Sequence, residues 1–323
     1  MMNNDNTDLT PVVPEGGPVL AFDFPAFSVG VAEYAEGPTG CTVFRFPAPV
    51  KTAVDLRGGS IGSIGNREWN HAICLAGGSS YGLAAATGVA AELLARNGYA
   101  TEPETIAAVS GAIIYDFRAR ENAIIADAAL GRAAVRAARP NWFPLGPRGA
   151  GCSAMCGRGP EQTGREHSGQ GGAFRRIGPT KIAAFTVVNA LGAICDRQGR
   201  VIRGHRDPQT GEHRHYHEEL DRIRRRGAGG PPEATGGNTT LTVVITNQRL
   251  DRRQLTQFAR QVHSSMARAI QPFHTIYDGD VFYGVTTDEI DNPDLDEVAL
   301  GVEASEAVWD AILRLVEVMQ DGG

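Results

Sequence analysis

The alternation of apolar and polar residues is most regular over residues 238–247 (NTTLTVVITN) and predicts a buried strand there. Leu241, Val243 and Ile245 fall on one face of this strand, because successive side chains of a strand point to opposite sides. Shorter apolar runs bounded by Gly, Pro or Asn predict further strands at 28–32, 41–46, 52–56, 181–189, 193–196 and 281–287. We expect the strand at 193–196 to continue the strand at 181–189 beyond a turn.

Helical patterns of apolar residues predict helices at 81–96, 127–138, 252–268 and 302–318. The first of these ends at Asn97 and Gly98, and the second ends before Pro140. The acidic residues 288–297 are interpreted as a solvated loop. Helices and strands are interleaved without a strict strand–helix–strand repeat, which indicates an α+β protein built in layers rather than a doubly wound sheet.

The chain is predicted to be a single domain with two irregular segments. Residues 1–18 are polar and predict a mobile N-terminal arm, and residues 19–323 form the domain. Residues 203–237 are charged, rich in His and Arg, and end in Gly and Pro. This composition predicts a flexible exposed loop with room for one short helix, and a loop of such length inside a domain calls for a functional reason.

Composition narrows the class of protein. The 323 residues carry 31 Lys and Arg against 37 Asp and Glu, a net charge of −6, which argues against nucleic-acid binding. No apolar run approaches the roughly 18–20 residues of a transmembrane helix, so we expect no membrane association. The polar N-terminus has no secretion signal and the five cysteines are scattered, which predicts a cytoplasmic protein with reduced thiols.

The junction between the charged loop and the strand at 238–247 carries the sharpest chemical signal. Gly236 and Gly237 permit strained backbone conformations just before Asn238 and Thr239. The Thr239 hydroxyl could attack the carbonyl of Asn238 and cleave the chain there. The new N-terminal Thr239 would then supply a nucleophilic hydroxyl and its own amine as the base. The residues alone leave this open against an ordinary turn followed by a Thr-rich strand.

The segment GGNTTLTVVITN and the downstream QFARQVHSSMARAIQPFHTIYDGDVFYGVTTDEID resemble the nylon-oligomer hydrolases, the 6-aminohexanoate-oligomer endohydrolases. The resemblance extends upstream through FDFPAFSVGVAEYAEGPTG, NHAICLAGGSSYGL, IIYDFRAR, GAGCSAMCG and GQGGAFRRIG, and covers roughly residues 20–320. These enzymes belong, with the L-aminopeptidase/D-esterases, to the P1 peptidase family of self-processing N-terminal nucleophile hydrolases. The resemblance implies a four-layer αββα sandwich. It also implies autocleavage between Asn238 and Thr239 into an α subunit (1–238) and a β subunit (239–323).

The resemblance also implies roles for individual residues. Thr239 is the nucleophile, and Asp278 and Asp280 lie near it and hold its ammonium and hydroxyl groups. Asn189 is an oxyanion donor, and Tyr115 donates a hydrogen bond at the site. Without the family, the DGD sequence would be a solvated turn, Asn189 a turn residue and Tyr115 a core residue.

Other positions follow the family less closely. Where the nylon hydrolases carry an active-site lysine this chain has Arg158, whose planar fork is not equivalent to an ammonium group. The resemblance places a substrate-binding pocket at GGSSY (Gly77, Gly78, Ser79, Ser80 and Tyr81), although packing at a helix start explains these small residues equally well.

No cofactor and no metal site are expected. His213, His215 and His217 alternate on a loop without nearby Cys or a frame of carboxylates. Cys152 and Cys156 lack a second pair, so neither zinc binding nor a redox motif follows.

The resemblance predicts an amidohydrolase that cleaves internal amide bonds of 6-aminohexanoate oligomers and acts as an oligomer of αβ units, with a tetramer favoured. An aminopeptidase or β-aminopeptidase acting on small peptides is the alternative within enzymes. An unprocessed, non-catalytic scaffold is the alternative from another class. The intact GNTT and DGD sequences argue against the scaffold.

Overall fold

The computed structural model describes residues 1–159, 164–226 and 237–321. The helices in these ranges are α1 (Ala84–Arg96), α2 (Ala128–Ala137), α3 (Tyr216–Arg225), α4 (Arg252–Ser265) and α5 (Glu297–Asp321). The strands are β1 (Val19–Ala21), β2 (Ser28–Tyr34), β3 (Thr39–Gly58), β4 (Ser63–Ile64), β5 (Trp69–Ala76), β6 (Val109–Ile113), β7 (Trp142–Pro144), β8 (Met155–Cys156), β9 (Glu166–His167), β10 (Gly169–Ile177), β11 (Thr180–Asn189), β12 (Ala193–Cys195), β13 (Val201–Arg203), β14 (Thr239–Gln248), β15 (Ile270–Gln271) and β16 (Gly279–Ile290).

A nine-stranded sheet forms the centre of the protein. Its strand order is β10-β11-β14-β16-β3-β5-β6-β4, with β2 also paired to β3. The first half of β3 pairs with β2 and β5, and its second half pairs with β16. The strands predicted at 41–46 and 52–56 are therefore one strand. Its register with β5 shifts between Arg45 and Val50, where Pro47 and Pro49 cannot donate ladder hydrogen bonds.

The two halves of this sheet face each other and are covered by helices on their outer sides. Phe44, Phe185 and Val243 belong to the core between the halves. A second core lies between β10, β11, β14, β16 and the helices α4 and α5, and a third lies between β2, β3, β5 and the helices α1 and α2. This order of layers confirms the predicted αββα sandwich.

Two segments differ from their prediction. Strand β12 is not a continuation of β11 but lies in a separate sheet with β13 and β15. The chain turns away at Gly192, where a Cβ atom would lie 2.1 Å from the carbonyl oxygen of Pro272. Part of the predicted acidic loop is regular, because β16 extends to Ile290 and α5 already begins at Glu297, after Asp296 accepts a hydrogen bond from the N–H of Ala299 (2.7 Å).

The two segments predicted to be irregular have defined contacts in the described residues. In the predicted arm, the Asn4 amide bonds to Ile125 and Asp127, and Val12 pairs with Glu33. The predicted loop at 203–237 contains α3, and its residues 227–236 lie outside the described residues. None of the helices in the described ranges is long and apolar enough to cross a membrane.

Candidate active site

Thr239 is the first residue of β14 and lies in the middle of the sheet. It pairs with Asn189 of β11 on one side, while Asn238 pairs with Asp278 on the other. Only 3% of its surface is exposed. The Thr239 Oγ1 donates a hydrogen bond to the carbonyl oxygen of Asn238 (2.6 Å), and the N–H of Gly279 donates to the same oxygen (2.8 Å). The carbonyl oxygen of the predicted cleavage site thus accepts both the Thr239 hydroxyl and a backbone N–H.

The chain reaches Thr239 through a glycine whose conformation other residues rarely adopt. Gly237 has φ +97°, and a Cβ atom there would lie 2.9 Å from Cγ of the Tyr115 ring. Asn238 is held from the other side, since its Nδ2 donates to the carbonyl oxygen of Tyr277 (3.3 Å). Glycine is needed at 237 both for the backbone angle and for the close approach to the ring.

We expect Gly237→Ala to slow the predicted self-cleavage between Asn238 and Thr239 by about tenfold or more, because the added methyl group must displace the Tyr115 ring or move the carbonyl of Asn238 away from Thr239. The half-time of cleavage can be followed on denaturing gels after synthesis. Gly178→Ala is a matched control, since Gly178 also has a positive φ (+55°) but has nothing within 4 Å of its Cβ position. Equal half-times for the two variants would contradict the role assigned to Gly237.

The two predicted aspartates are buried beside this junction. Each carboxylate oxygen of Asp280 has its own hydrogen-bond partner. Its Oδ1 accepts the N–H of Thr240 (2.7 Å), and its Oδ2 lies 2.8 Å from Nδ1 of His274. Asp280 therefore fixes the backbone immediately after Thr239.

Asp278 lies among hydrogen-bond donors. Its Oδ1 accepts the N–H of Leu191 (3.2 Å), and its Oδ2 accepts both the N–H (2.9 Å) and the hydroxyl of Thr275. Burial, reinforced by the neighbouring Asp280, raises its pKa to about 6. A carboxyl group with a pKa so near neutral can exchange a proton under ordinary conditions.

Asn189 and Tyr115 meet on the opposite side of the junction. The Asn189 Oδ1 accepts the N–H of Met155 (3.0 Å), and its Nδ2 is directed at the carbonyl oxygens of Tyr115 (3.2 Å) and Gly237 (3.4 Å). The Asn189 amide group is thereby fixed with its NH2 toward the residues that precede Thr239. Tyr115 contributes its backbone carbonyl and the face of its ring.

A cavity of about 10 Å³, enough for about one water molecule, lies at this junction. Its lining includes three of the predicted site residues, Tyr115, Asn189 and Asn238. Gly237 and Asn238 form one wall of the cavity. In the uncleaved chain these two residues therefore occupy the space directly before Thr239.

Arg158 lies beside this cavity and does not line it. Its side chain is buried, and its backbone N–H bonds to the carbonyl of Leu191 (2.8 Å), whose own N–H bonds to Asp278. Burial, with Arg118 and Arg165 adding repulsion, lowers the pKa of Arg158 to about 10. The cationic groups that line the cavity itself are Arg118 and Arg165.

The predicted pocket residues Gly77, Gly78, Ser79, Ser80 and Tyr81 lie behind the cavity and are not part of its lining. The N–H of Gly78 donates to Asp116 (2.9 Å), and a Cβ atom on Gly77 would lie 2.3 Å from the same carboxylate. Asp116 lines the cavity and pairs with the buried Arg120 (2.8 Å). The glycines of GGSSY therefore support Asp116, while Tyr81 is 71% exposed.

Several residues at the site were not identified from the sequence: Asp55, Asp116, Arg118, Arg165, His263 and His274. Four of them lie in segments that carry the family resemblance, since Asp116 and Arg118 belong to IIYDFRAR, and His263 and His274 belong to QFARQVHSSMARAIQPFHTIYDGD. Asp55 and Arg165 lie outside those segments.

The alternating histidines His213, His215 and His217 have different partners. His213 pairs with Glu166 (2.7 Å), and the rings of His215 and His217 stack at 5.7 Å. Within the described residues, no group of three or more His, Cys, Asp or Glu side chains is arranged to hold a metal ion.

The fold and the site define a hydrolase of peptidase family S58, and the chain belongs to this family, whose model matches residues 21–320. The chain is 49% identical over 326 residues to the 6-aminohexanoate-oligomer endohydrolase of Agromyces sp. (strain KY5R), covering 96% of this chain and 90% of that protein. The enzyme of the same name from Paenarthrobacter ureafaciens gives the same identity and coverage. The resemblance to the nylon-oligomer hydrolases is thereby confirmed, and the chain is an amide hydrolase.

Solved structures support the same fold. The L-aminopeptidase D-Ala-esterase/amidase of Ochrobactrum anthropi, described as a variant of the Ntn hydrolase fold, matches with a TM-score of 0.63. The match covers 95% of this chain and 89% of that one at 16% identity. At this identity the likeness concerns the fold alone.

Proposed function

We propose that the protein cleaves itself between Asn238 and Thr239 and then hydrolyses amide bonds of 6-aminohexanoate oligomers with Thr239 as the N-terminal nucleophile. One observation carries this proposal. The Thr239 hydroxyl lies against the carbonyl of Asn238, and the same carbonyl oxygen accepts the N–H of Gly279. The hydroxyl and a donor for the developing oxyanion are thus both in place at one peptide bond.

Self-cleavage begins when Thr239 Oγ1 attacks the carbonyl carbon of Asn238 and loses its proton. The C–N bond to Thr239 breaks, its nitrogen takes up a proton, and an ester joins the Thr239 oxygen to Asn238. Water then hydrolyses the ester and releases the carboxylate of Asn238. The N–H of Gly279 stabilises the negative oxygen of the tetrahedral intermediate. The products are fragments of 238 and 85 residues.

Hydrolysis of a substrate repeats the same chemistry with a separate molecule. The free amine of Thr239, with an ordinary pKa of about 8, takes the proton of its own hydroxyl as Oγ1 attacks the substrate amide. The amine of the leaving half receives this proton, and an acyl-enzyme ester remains. Asn189, whose Nδ2 already points to carbonyl oxygens ahead of Thr239, donates to the oxyanion. Water then releases the acid half and restores Thr239.

The assignment of the substrate rests on the relatives named for 6-aminohexanoate oligomers, which match nearly the whole chain. An aminopeptidase needs a group that binds the free amine of its substrate, whereas an endohydrolase does not. Hydrolysis of an N-acetylated oligomer therefore separates the two functions. By analogy with the family, we propose that the cleaved αβ units associate into an oligomer.

The first test is the intact mass of freshly purified protein under denaturing conditions, with N-terminal sequencing of the smaller fragment. We expect two fragments, the smaller beginning Thr-Thr-Leu-Thr, because Thr239 is followed by Thr240, Leu241 and Thr242. A single uncut chain after long incubation would overturn the proposed self-cleavage and favour a non-catalytic scaffold.

A further inference from the structure

Two histidines lie directly behind Asp280, of which His263 is buried and His274 is half-buried. The Nδ1 of His274 is 2.8 Å from Asp280 Oδ2, and the Nδ1 of His263, on α4, is 2.8 Å from Oδ2 of Asp55 on β3. The two imidazole rings meet edge to face with their centres 4.4 Å apart. In each ring the Nε2 atom is buried and has no hydrogen-bond partner among the described residues.

The surroundings of the Nε2 atoms favour a proton on Nδ1, rather than on Nε2, in both rings. A proton on Nε2 of either ring would be a buried N–H group without an acceptor. In the neutral form with the proton on Nδ1, each ring donates to its carboxylate and leaves only a lone pair unmatched. Burial lowers the pKa of His263 despite its hydrogen bond to Asp55, which agrees with a neutral ring.

The backbone of His274 is held in an unfavourable conformation. Its φ is +57°, in the left-handed region that residues other than glycine seldom occupy. The ring is also packed against Phe273, with centres 3.9 Å apart. The fold thus keeps a strained residue here whose side chain reaches the carboxylate of Asp280, and such strain is concentrated at functional sites.

We propose that His274 is a positioning residue for the reaction proposed above. By donating from Nδ1 to Oδ2 of Asp280, His274 fixes the rotation of this carboxylate so that its Oδ1 stays on the N–H of Thr240. That contact sets the backbone next to the nucleophile. His263, itself held by Asp55, packs on the edge of the His274 ring and keeps it in place.

The test compares His274→Asn with His274→Asp. Both replacements have nearly the same size and both tolerate a left-handed backbone. Asn keeps an N–H donor for Asp280, whereas Asp places a second carboxylate against it. We expect kcat on an oligomer at about pH 8 to be about 10- to 100-fold lower for His274→Asp than for His274→Asn.

A pH series distinguishes positioning from general damage. The groups that face His274 or its partners are Asp55, Arg57, His263, Asp278 and Asp280, and these are common to both variants. A group that titrates alike in both variants divides out of the ratio of the two kcat values, so a pH-dependent ratio reports on Asp280 and the side chain placed against it. We expect the ratio of kcat for His274→Asp to kcat for His274→Asn to rise about tenfold as the pH is lowered from roughly 8 to 5.5. At the lower pH the two adjacent carboxyl groups can share one proton, which restores a hydrogen-bond donor to Asp280. A flat ratio would overturn the proposal.

A control pair is His71→Asn and His71→Asp. His71 lies on β5, where its Nδ1 accepts the N–H of Ala108 (3.0 Å) away from the cavity lining. We expect the ratio of kcat for His71→Asp to kcat for His71→Asn to stay constant with pH.

Should the His274 variants fail to fold, the wild-type protein with ¹⁵N-labelled histidine provides the same test by NMR. A His274 ring protonated on Nδ1 supports the proposal, and a ring protonated only on Nε2 refutes it.

These outcomes are separable from failure of the proposed function. If Thr239→Val still hydrolyses the oligomer, the proposed nucleophile is wrong. If Thr239→Val is inactive while the His274 ratio is flat, only the positioning role fails.

Discussion

Thr239→Val is expected to abolish both self-cleavage and hydrolysis of oligomers. Valine has nearly the shape of threonine, and the carbonyl oxygen of Asn238 keeps its hydrogen bond from Gly279, so the buried start of β14 can fold while the proposed attacking oxygen is lost. Loss of the nucleophile in an acyl-transfer enzyme lowers kcat by about 10⁶. Denaturing gels should show only the full-length chain of 323 residues, and product release from an oligomer should fall to the background of the assay.

Thr240→Val is the matched control for this variant. The two threonines are adjacent and both buried, but the Thr240 hydroxyl has no hydrogen-bond partner in the described part of the chain. The N–H that Thr240 donates to Asp280 survives the substitution. We expect this variant to cleave itself and to hydrolyse oligomers within a few-fold of wild type. Hydrolysis by Thr239→Val, or its loss in Thr240→Val alone, would place the nucleophile elsewhere.

Asp280→Asn is expected to lower kcat by about 10²- to 10³-fold. Both oxygens of Asp280 face donors, the N–H of Thr240 and the Nδ1 of His274. The amide nitrogen of asparagine must turn toward one of them, so one hydrogen bond becomes a repulsive contact. The substitution also removes the carboxylate that the family resemblance places beside the Thr239 ammonium group. Steady-state kinetics on the cleaved enzyme should show the loss in kcat.

Asp288→Asn serves as its control. Asp288 lies on the same strand, β16, but pairs with Lys51 near the surface (2.7 Å). A partly exposed ion pair of this kind contributes about 1 kcal/mol or less to stability. We expect kcat to be unaffected by this substitution. An Asp280→Asn enzyme as active as Asp288→Asn would mean that the DGD sequence is only a turn.

Much of the fold was predictable because its signals are local. The alternation along β14 identifies the face that packs in the central core, where Leu241, Val243 and Ile245 are all buried. The second helix is predicted to begin at Asp127, and in the structure Asp127 is the capping residue just before α2, where its side chain accepts the N–H groups of Ala129 and Leu130. The family assignment also follows from contiguous sequence blocks and needs no tertiary contact.

The parts of the fold and of the site that could not be predicted depend on contacts between distant parts of the chain. Asn189 reaches the junction only because the antiparallel register of β11 and β14 pairs it with Thr239. Asp55 and His263 are more than 200 residues apart in sequence and meet because α4 packs on the second half of β3. The turn at Gly192, which diverts β12 into another sheet, is set by packing against Pro272. Periodicity within a segment carries no information about any of these pairings.

The position of β14 in the sheet has a consequence for the cut protein. Residues 239–323 supply β14 and β16, two neighbouring strands in the middle of the sheet, with strands of residues 1–238 paired on both sides of them. Neither fragment contains a complete core of its own. A chain cut by the proposed self-cleavage would therefore be an obligate heterodimer whose subunits come in equal numbers from one chain. Its unfolding would also be a dissociation, so dilution would oppose reassembly in a way that it does not oppose the first folding of the intact chain.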